Sequence, residues 1–122
     1  MSELSPFGRI LRRAVESTPG LHGAVFTDWE GEPVDQYARV PKIEIQITGA
    51  QWGLVLTQIM GPLARARAGA PRSLLVLCER AQIYVRAITR EYVLVIQASP
   101  DAHVGKAIAA LERAAGELER EM

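Results

Sequence analysis

Three runs rich in Val, Ile, Leu and Tyr follow one another almost without interruption: Ser73–Glu79, Gln82–Ile88 and Tyr92–Ala98. The gaps between them are only two and three residues long. A parallel crossover needs a dozen or more residues, so connections this short make antiparallel hairpins. The first and third runs, LLVLC and YVLVIQA, are nearly continuous in apolar residues. An antiparallel sheet with one face in water alternates polar and apolar positions, so these runs predict a sheet covered on both faces. The rest of the chain has to supply the cover.

It supplies helices. Ser5-Pro6 is an N-cap followed by Pro at the first helical position, and Phe7, Ile10, Leu11, Ala14 and Val15 then fall on one face. The spacing predicts a helix over about 6–17. The stretch Thr18–Asp35, TPGLHGAVFTDWEGEPVD, stops that helix at Pro19-Gly20 and runs a strand through Ala24–Thr27. It then reverses on Asp28-Trp29-Glu30-Gly31-Glu32, where Gly31 supplies positive φ. Pro33–Val40 is the returning strand, with Pro33 suited to its first residue or to a sheet edge.

Residues 42–68 carry two conflicting signals. Lys42–Thr48 alternates, which on its own indicates a strand. Yet Ile45, Trp52, Leu56, Ile59 and Leu63 fit one helical stripe, while Ile43, Ile47, Ala50 and Leu54 fit another. Gly49, Gly53 and Gly61 weaken a helix, and Pro62 breaks or kinks it locally. The stripes favour a long helix over about 44–67, ended by Ala68-Gly69-Ala70-Pro71. Ser99-Pro100-Asp101 repeats the Ser-Pro start and adds an acidic first turn. Val104, Ile108, Leu111, Ala115, Leu118 and Met122 continue it as an apolar seam, with Arg113 and Glu117 as an i,i+4 pair on the wet side. The seam fits a helix docked on the chain's own sheet; a coiled-coil partner is the other reading.

The 122 residues are expected to form one domain, residues 1–122. Fourteen basic and fourteen acidic residues cancel, which gives no electrostatic reason to expect a nucleic acid or an anionic membrane as partner. The N-terminus MSELSPFGRILRR lacks the apolar core of a signal peptide, and no run reaches the length of a membrane span. A lone cysteine, Cys78, excludes an intrachain disulfide. The expected setting is cytoplasmic.

The sequence offers little chemistry. No phosphate-binding loop of the GxxxxGK[ST] form and no GxSxG elbow occurs. His22 and His103 lack a second ligand at metal-binding spacing; the first reads as a junction turn residue and the second as a solvated first-turn residue. Cys78 sits in an apolar run and reads as a buried, inert thiol. We expect no catalytic group, no metal and no cofactor. Trp29 is different, because a turn does not require a large aromatic: it is either a partner-binding anchor or a side chain folded back on the sheet. Arg65, Arg67 and Arg72 either hold an acidic partner or form a solvated helix end.

The order helix, strand, strand, helix, three strands, helix, together with PGLHGAVFTDWEGEPVD, resembles the Roadblock family. These are small domains related to dynein light chains and to bacterial regulators of small GTPases. The resemblance spans essentially the whole chain. It implies an α+β fold, a Roadblock/profilin-like α/β/α sandwich: a five-stranded antiparallel sheet with the first and last helices on one face and the long middle helix on the other. It also implies a homodimer through the middle helix and the strand after it, here about Ile45–Leu63 and Ser73–Glu79. The implied contacts are Trp52, Leu56, Ile59, Met60, Leu63, Leu75 and Leu77, and the candidates for contact with another partner are Trp29, Arg65 and Arg67. The implied function is a non-enzymatic module that binds and regulates a small Ras-like GTPase. The alternative is a structural adaptor in a larger signalling or motor assembly, without nucleotide dependence. The three glycines and Pro62 in or near the middle helix depart from the family pattern.

Overall fold

In the computed structural model, which describes residues 4–122, Ser5 caps the first helix, α1 (Pro6–Ser17). Its hydroxyl accepts from the Gly8 N–H at 3.0 Å. Ile10, Leu11, Ala14 and Val15 form the buried face of α1, as their spacing predicts. Gly20, at φ +91°, turns the chain into β1 (Leu21–Asp28). The reversal to β2 (Pro33–Ala38) is held by the Asp28 carboxylate, which accepts from the backbone N–H groups of Glu30 and Glu32, both at 2.9 Å. Gly31, at φ +92°, completes that turn.

The remaining elements are α2 (Lys42–Gln58), α3 (Met60–Arg65), β3 (Ser73–Leu77), β4 (Gln82–Ala87), β5 (Tyr92–Ala98) and α4 (Val104–Glu121). All five strands pair antiparallel in the order β2-β1-β5-β4-β3. The hairpins β3–β4 and β4–β5 are those required by the short connections. β5 returns to the middle of the sheet beside β1, with Val25 opposite Val95. Helices α1 and α4 cover one face and bury Ala24, Phe26, Tyr84, Leu94 and Ile96. Helix α2 covers the other and buries Val25, Ile83, Val85, Val93 and Val95. This is the α+β arrangement expected from the sequence, with two helices on one side and the middle helix on the other.

Residues 42–48 are helical, not extended. A strand would place Ile43, Ile45 and Ile47 on one face; the helix instead sends Ile45 into the core and leaves Ile43 and Ile47 exposed. The alternation was the superposition of two helical stripes. Gly49 faces the sheet: a Cβ there would stand 2.5 Å from Cγ1 of Val25, so its lack of a side chain lets α2 lie directly on β1. The helix breaks at Ile59 and not at a glycine. Pro62 has no N–H to give the Gln58 carbonyl, and its ring crowds that carbonyl.

The last helix also differs from expectation. Ser99-Pro100-Asp101 is a turn, in which Ser99 Oγ donates to the Asp101 carboxylate at 2.7 Å. The helix starts at Val104, and His103 is its N-cap, Nδ1 accepting from the Lys106 N–H at 3.1 Å. Its buried face is Ala107, Ala110, Leu111, Ala114, Ala115 and Leu118, while Ile108 and Met122 of the expected seam are exposed. Glu117 pairs at 2.9 Å with Arg13 of α1, not with Arg113. Small alanines suit a helix that must approach both a sheet and a second helix.

Candidate interaction surface

β3 lies at one end of the sheet, where among the described residues it pairs with β4 alone. Helix α2 lies over β2, β1 and β5 and reaches β4; α4 lies over β4 and β5. Neither helix extends across β3. Its register with β4 runs without a bulge from Ser73 opposite Arg86 to Leu77 opposite Gln82, and its sequence SLLVL contains no Pro or charge. Leu74 and Val76 stand half-buried at the margin of the α2-side core. Leu75 and Leu77 point to the other face, the latter 60% exposed. The cover on both faces expected for the apolar strands therefore holds for β5 and not for β3. Natural edge strands are usually blunted by charge, Pro or bulges; this one carries none of them.

Helix α2 adds a second uncovered apolar surface. Ile43, Ile47 and Leu54 are 60%, 50% and 57% exposed, and at helical spacing they form one line opposite the core-facing Ile45, Gly49 and Leu56. No charged residue occurs between Glu44 and Arg65. A helix apolar on both sides is one that has something to bury twice.

The seven residues expected at a dimer contact separate into groups. Leu56 is fully buried within this chain's own core, which removes it from any surface; the stripe containing it is the inward one. Trp52 and Ile59 are half-buried at the margin of that core, beside Leu74 and Val76. Leu63 is half-buried in α3, and Met60, Leu75 and Leu77 are exposed. Outside these seven, Ile43, Ile47 and Leu54 are the large apolar side chains that α2 leaves exposed. Their stripe is legible in the sequence, and no charged residue interrupts the segment from 45 to 64.

No family model and no curated protein matches this sequence. Solved structures do match it. The Roadblock/LC7 domain from Streptomyces avermitilis superposes with a TM-score of 0.85 at 14% identity, over 98% of each chain. Myxococcus xanthus MglB gives 0.86 at 12% identity, over 98% of this chain and 96% of that one. The gliding protein MglB from Thermus thermophilus gives 0.82 at 20% identity, over 98% and 93%. The chain has the Roadblock/LC7 fold.

In this Roadblock/LC7 fold Trp29 is folded back against the sheet. It is half-buried beside the α2-side core, its Nε1–H reaching the Thr89 carbonyl at 3.4 Å and its backbone N–H that of Glu91 at 3.3 Å. It thereby ties the β1–β2 turn to the β4–β5 turn. Arg65 ends α3 and Arg67 follows at φ 56°; both are exposed. Cys78 is exposed too, just beyond β3, with its N–H on the Ala81 carbonyl at 2.9 Å. The buried-thiol reading fails because Cys78 lies past the end of an edge strand. His22 lies inside β1, not at a turn. Among the described residues no group of three or more His, Cys, Asp or Glu is placed to hold a metal ion. No helix among them is long and apolar enough to cross a membrane.

Proposed function

We propose that this chain is a non-enzymatic, homodimeric interaction module that binds and regulates a small Ras-like GTPase in the cytoplasm. The observation that supports the dimer is β3, an edge strand apolar on both faces and fully covered on neither. A second copy related by a two-fold axis would extend the sheet through β3. It would also lay its α2 over the half-buried Trp52, Ile59, Leu74 and Val76, as an isologous interface requires. Such a contact buries about 800 Å² per partner in the ordinary case. The fold shared with the MglB structures, one of which is described as a gliding protein, supports the regulatory part of the reading. On this reading, any effect on GTP hydrolysis would come from holding the GTPase's own switch loops in a productive arrangement.

The test is titration of the protein against small GTPases of the same organism, loaded with GDP or with a non-hydrolysable GTP analogue. Tighter binding of one nucleotide state is expected. Binding to neither state contradicts the reading, and equal affinity for both replaces it with the adaptor without nucleotide dependence.

A further inference from the structure

Beside Trp29 the surface opens into a concavity of about 370 Å³. Its apolar wall is Trp29, Met60, Ala70, Pro71, Ala87 and Ile88. Its charged residues are Arg72, Arg86 and Arg90, and no carboxylate among the described residues lines it. The walls are fixed by backbone bonds. The Arg72 carbonyl accepts from the Ala87 N–H at 2.9 Å, joining the lead into β3 to the end of β4. The Ile88 N–H donates to the Tyr92 carbonyl at 2.9 Å and closes the β4–β5 turn. Trp29 is fastened to that turn at the carbonyls of Thr89 and Glu91. The site is thus formed before anything binds, which lowers the ordering cost of binding.

The three arginines are not equivalent. Arg86 is already spent on Glu112 of α4, Nε to carboxylate at 3.0 Å. Arg72 and Arg90 form no ion pair among the described residues. They stand on separate segments, one before β3 and one in the β4–β5 turn. Two guanidinium groups from separate segments around one apolar wall suit a ligand that carries more than one carboxylate beside its apolar group. That is the pattern of an extended acidic chain segment and not of a single small acid.

We infer that this concavity is a docking site for a partner's acidic peptide segment, a bulky apolar side chain entering against Trp29 and flanking carboxylates pairing with Arg72 and Arg90. Arginine is suited to this role because its planar fork takes carboxylates bidentately. Trp and Arg are also the residue types that dominate binding energy at protein interfaces. The site shares only Met60 with the surface assigned to the dimer, and it needs neither a second copy nor a GTPase.

The test uses the full chain and a blocked pentapeptide in which phenylalanine is flanked by two glutamates on each side. Amide and indole chemical shifts are followed by NMR at physiological salt, with the Trp29 indole assigned by Trp29→Phe. Shifts confined to the Trp29 indole, Met60, Ala87, Ile88 and Arg90 are expected. Arg72→Glu combined with Arg90→Glu should weaken binding about tenfold or more, with an unchanged melting temperature because neither side chain is paired within the fold. Arg113→Glu, on α4 and away from the concavity, should change it by no more than about twofold. Equal binding of a peptide with serine for phenylalanine, or with lysines for glutamates, would overturn the inference. So would shifts centred elsewhere, no shifts at millimolar peptide, or equal affinity for phenylacetate, which would make the concavity a small-molecule site. Light scattering on the same samples reports the oligomeric state separately.

Discussion

Gln82 is a single polar side chain that ties β4 to the turn before α4. It is buried at the start of β4; its Nε2 donates to the carbonyls of Pro100 and Ala102, each at 3.1 Å, and its Oε1 accepts from the Tyr84 hydroxyl. Burial holds the Tyr84 hydroxyl above the usual tyrosine pKa, so it remains a donor. Gln82→Leu keeps the volume but strands one donor and two acceptors, and unfolding in urea should report a loss of about 1–3 kcal/mol. At the surface, Glu16 accepts from Tyr37 Oη at 3.0 Å and from Arg12 Nε at 3.0 Å. Tyr37 first, then Arg12, holds its carboxyl below the ordinary value. A carboxyl lowered in the folded state stabilises fully above its unfolded pKa and loses that contribution as pH falls through the folded one. Melting temperature should therefore decline in acid below the ordinary carboxylate pKa of about 4. Tyr37→Phe, which removes the largest cause, should make that decline shallower. The contacts of Gln82 with the turn before α4 and of Glu16 with Tyr37 could not be singled out from sequence, because those partners lie on other elements.

Elements were legible wherever one periodicity ruled. α1 carries a single stripe and a Ser-Pro start, and the structure places it where that pattern does. The β3–β4–β5 hairpins followed from connection length alone. α2 was ambiguous for a physical reason: it is apolar on two faces, and a 42–48 segment with isoleucine on both faces of a helix also alternates. Its glycines looked like helix weakeners, and Gly49 is a contact residue. Gly49→Ala should therefore destabilise the fold by about 1–3 kcal/mol, despite alanine's better helix propensity, because Val25 is β-branched and fully buried and has no room to yield. A gain in stability on thermal unfolding would show that α2 does not rest on β1 so closely. α4 was mis-started because Ser-Pro signals a turn as readily as a helix, and its capping residue, His103, is a rare type for the position. Leu56 of the stripe expected at a dimer contact faces the sheet, since periodicity identifies faces without saying which one meets the sheet.

At the scale of the whole molecule, the sheet has one end sheltered by helices and one end that is not. α1 and α2 both extend over β2 and β1, whereas β3 meets only the margin of the α2-side core. A chain built this way has a surplus of apolar surface at β3 and on the outer stripe of α2, and under the proposed dimer a second copy would cover both with one symmetric contact. Substitutions on this surface should dissociate the assembly without unfolding the protomer, since Ile47 and Leu77 are exposed and take no part in the core. Ile47→Glu combined with Leu77→Glu is thus expected to halve the mass in solution while circular dichroism stays unchanged; Leu56→Asp, inside the core, should unfold the chain instead. The most direct measurement is sedimentation equilibrium of the native protein at micromolar concentration. Twice the chain mass of 13.4 kDa, falling to one chain mass in the Ile47→Glu, Leu77→Glu protein, is the predicted result. A native protein that sediments at one chain mass would contradict the assignment of β3 and α2 as an interface between copies.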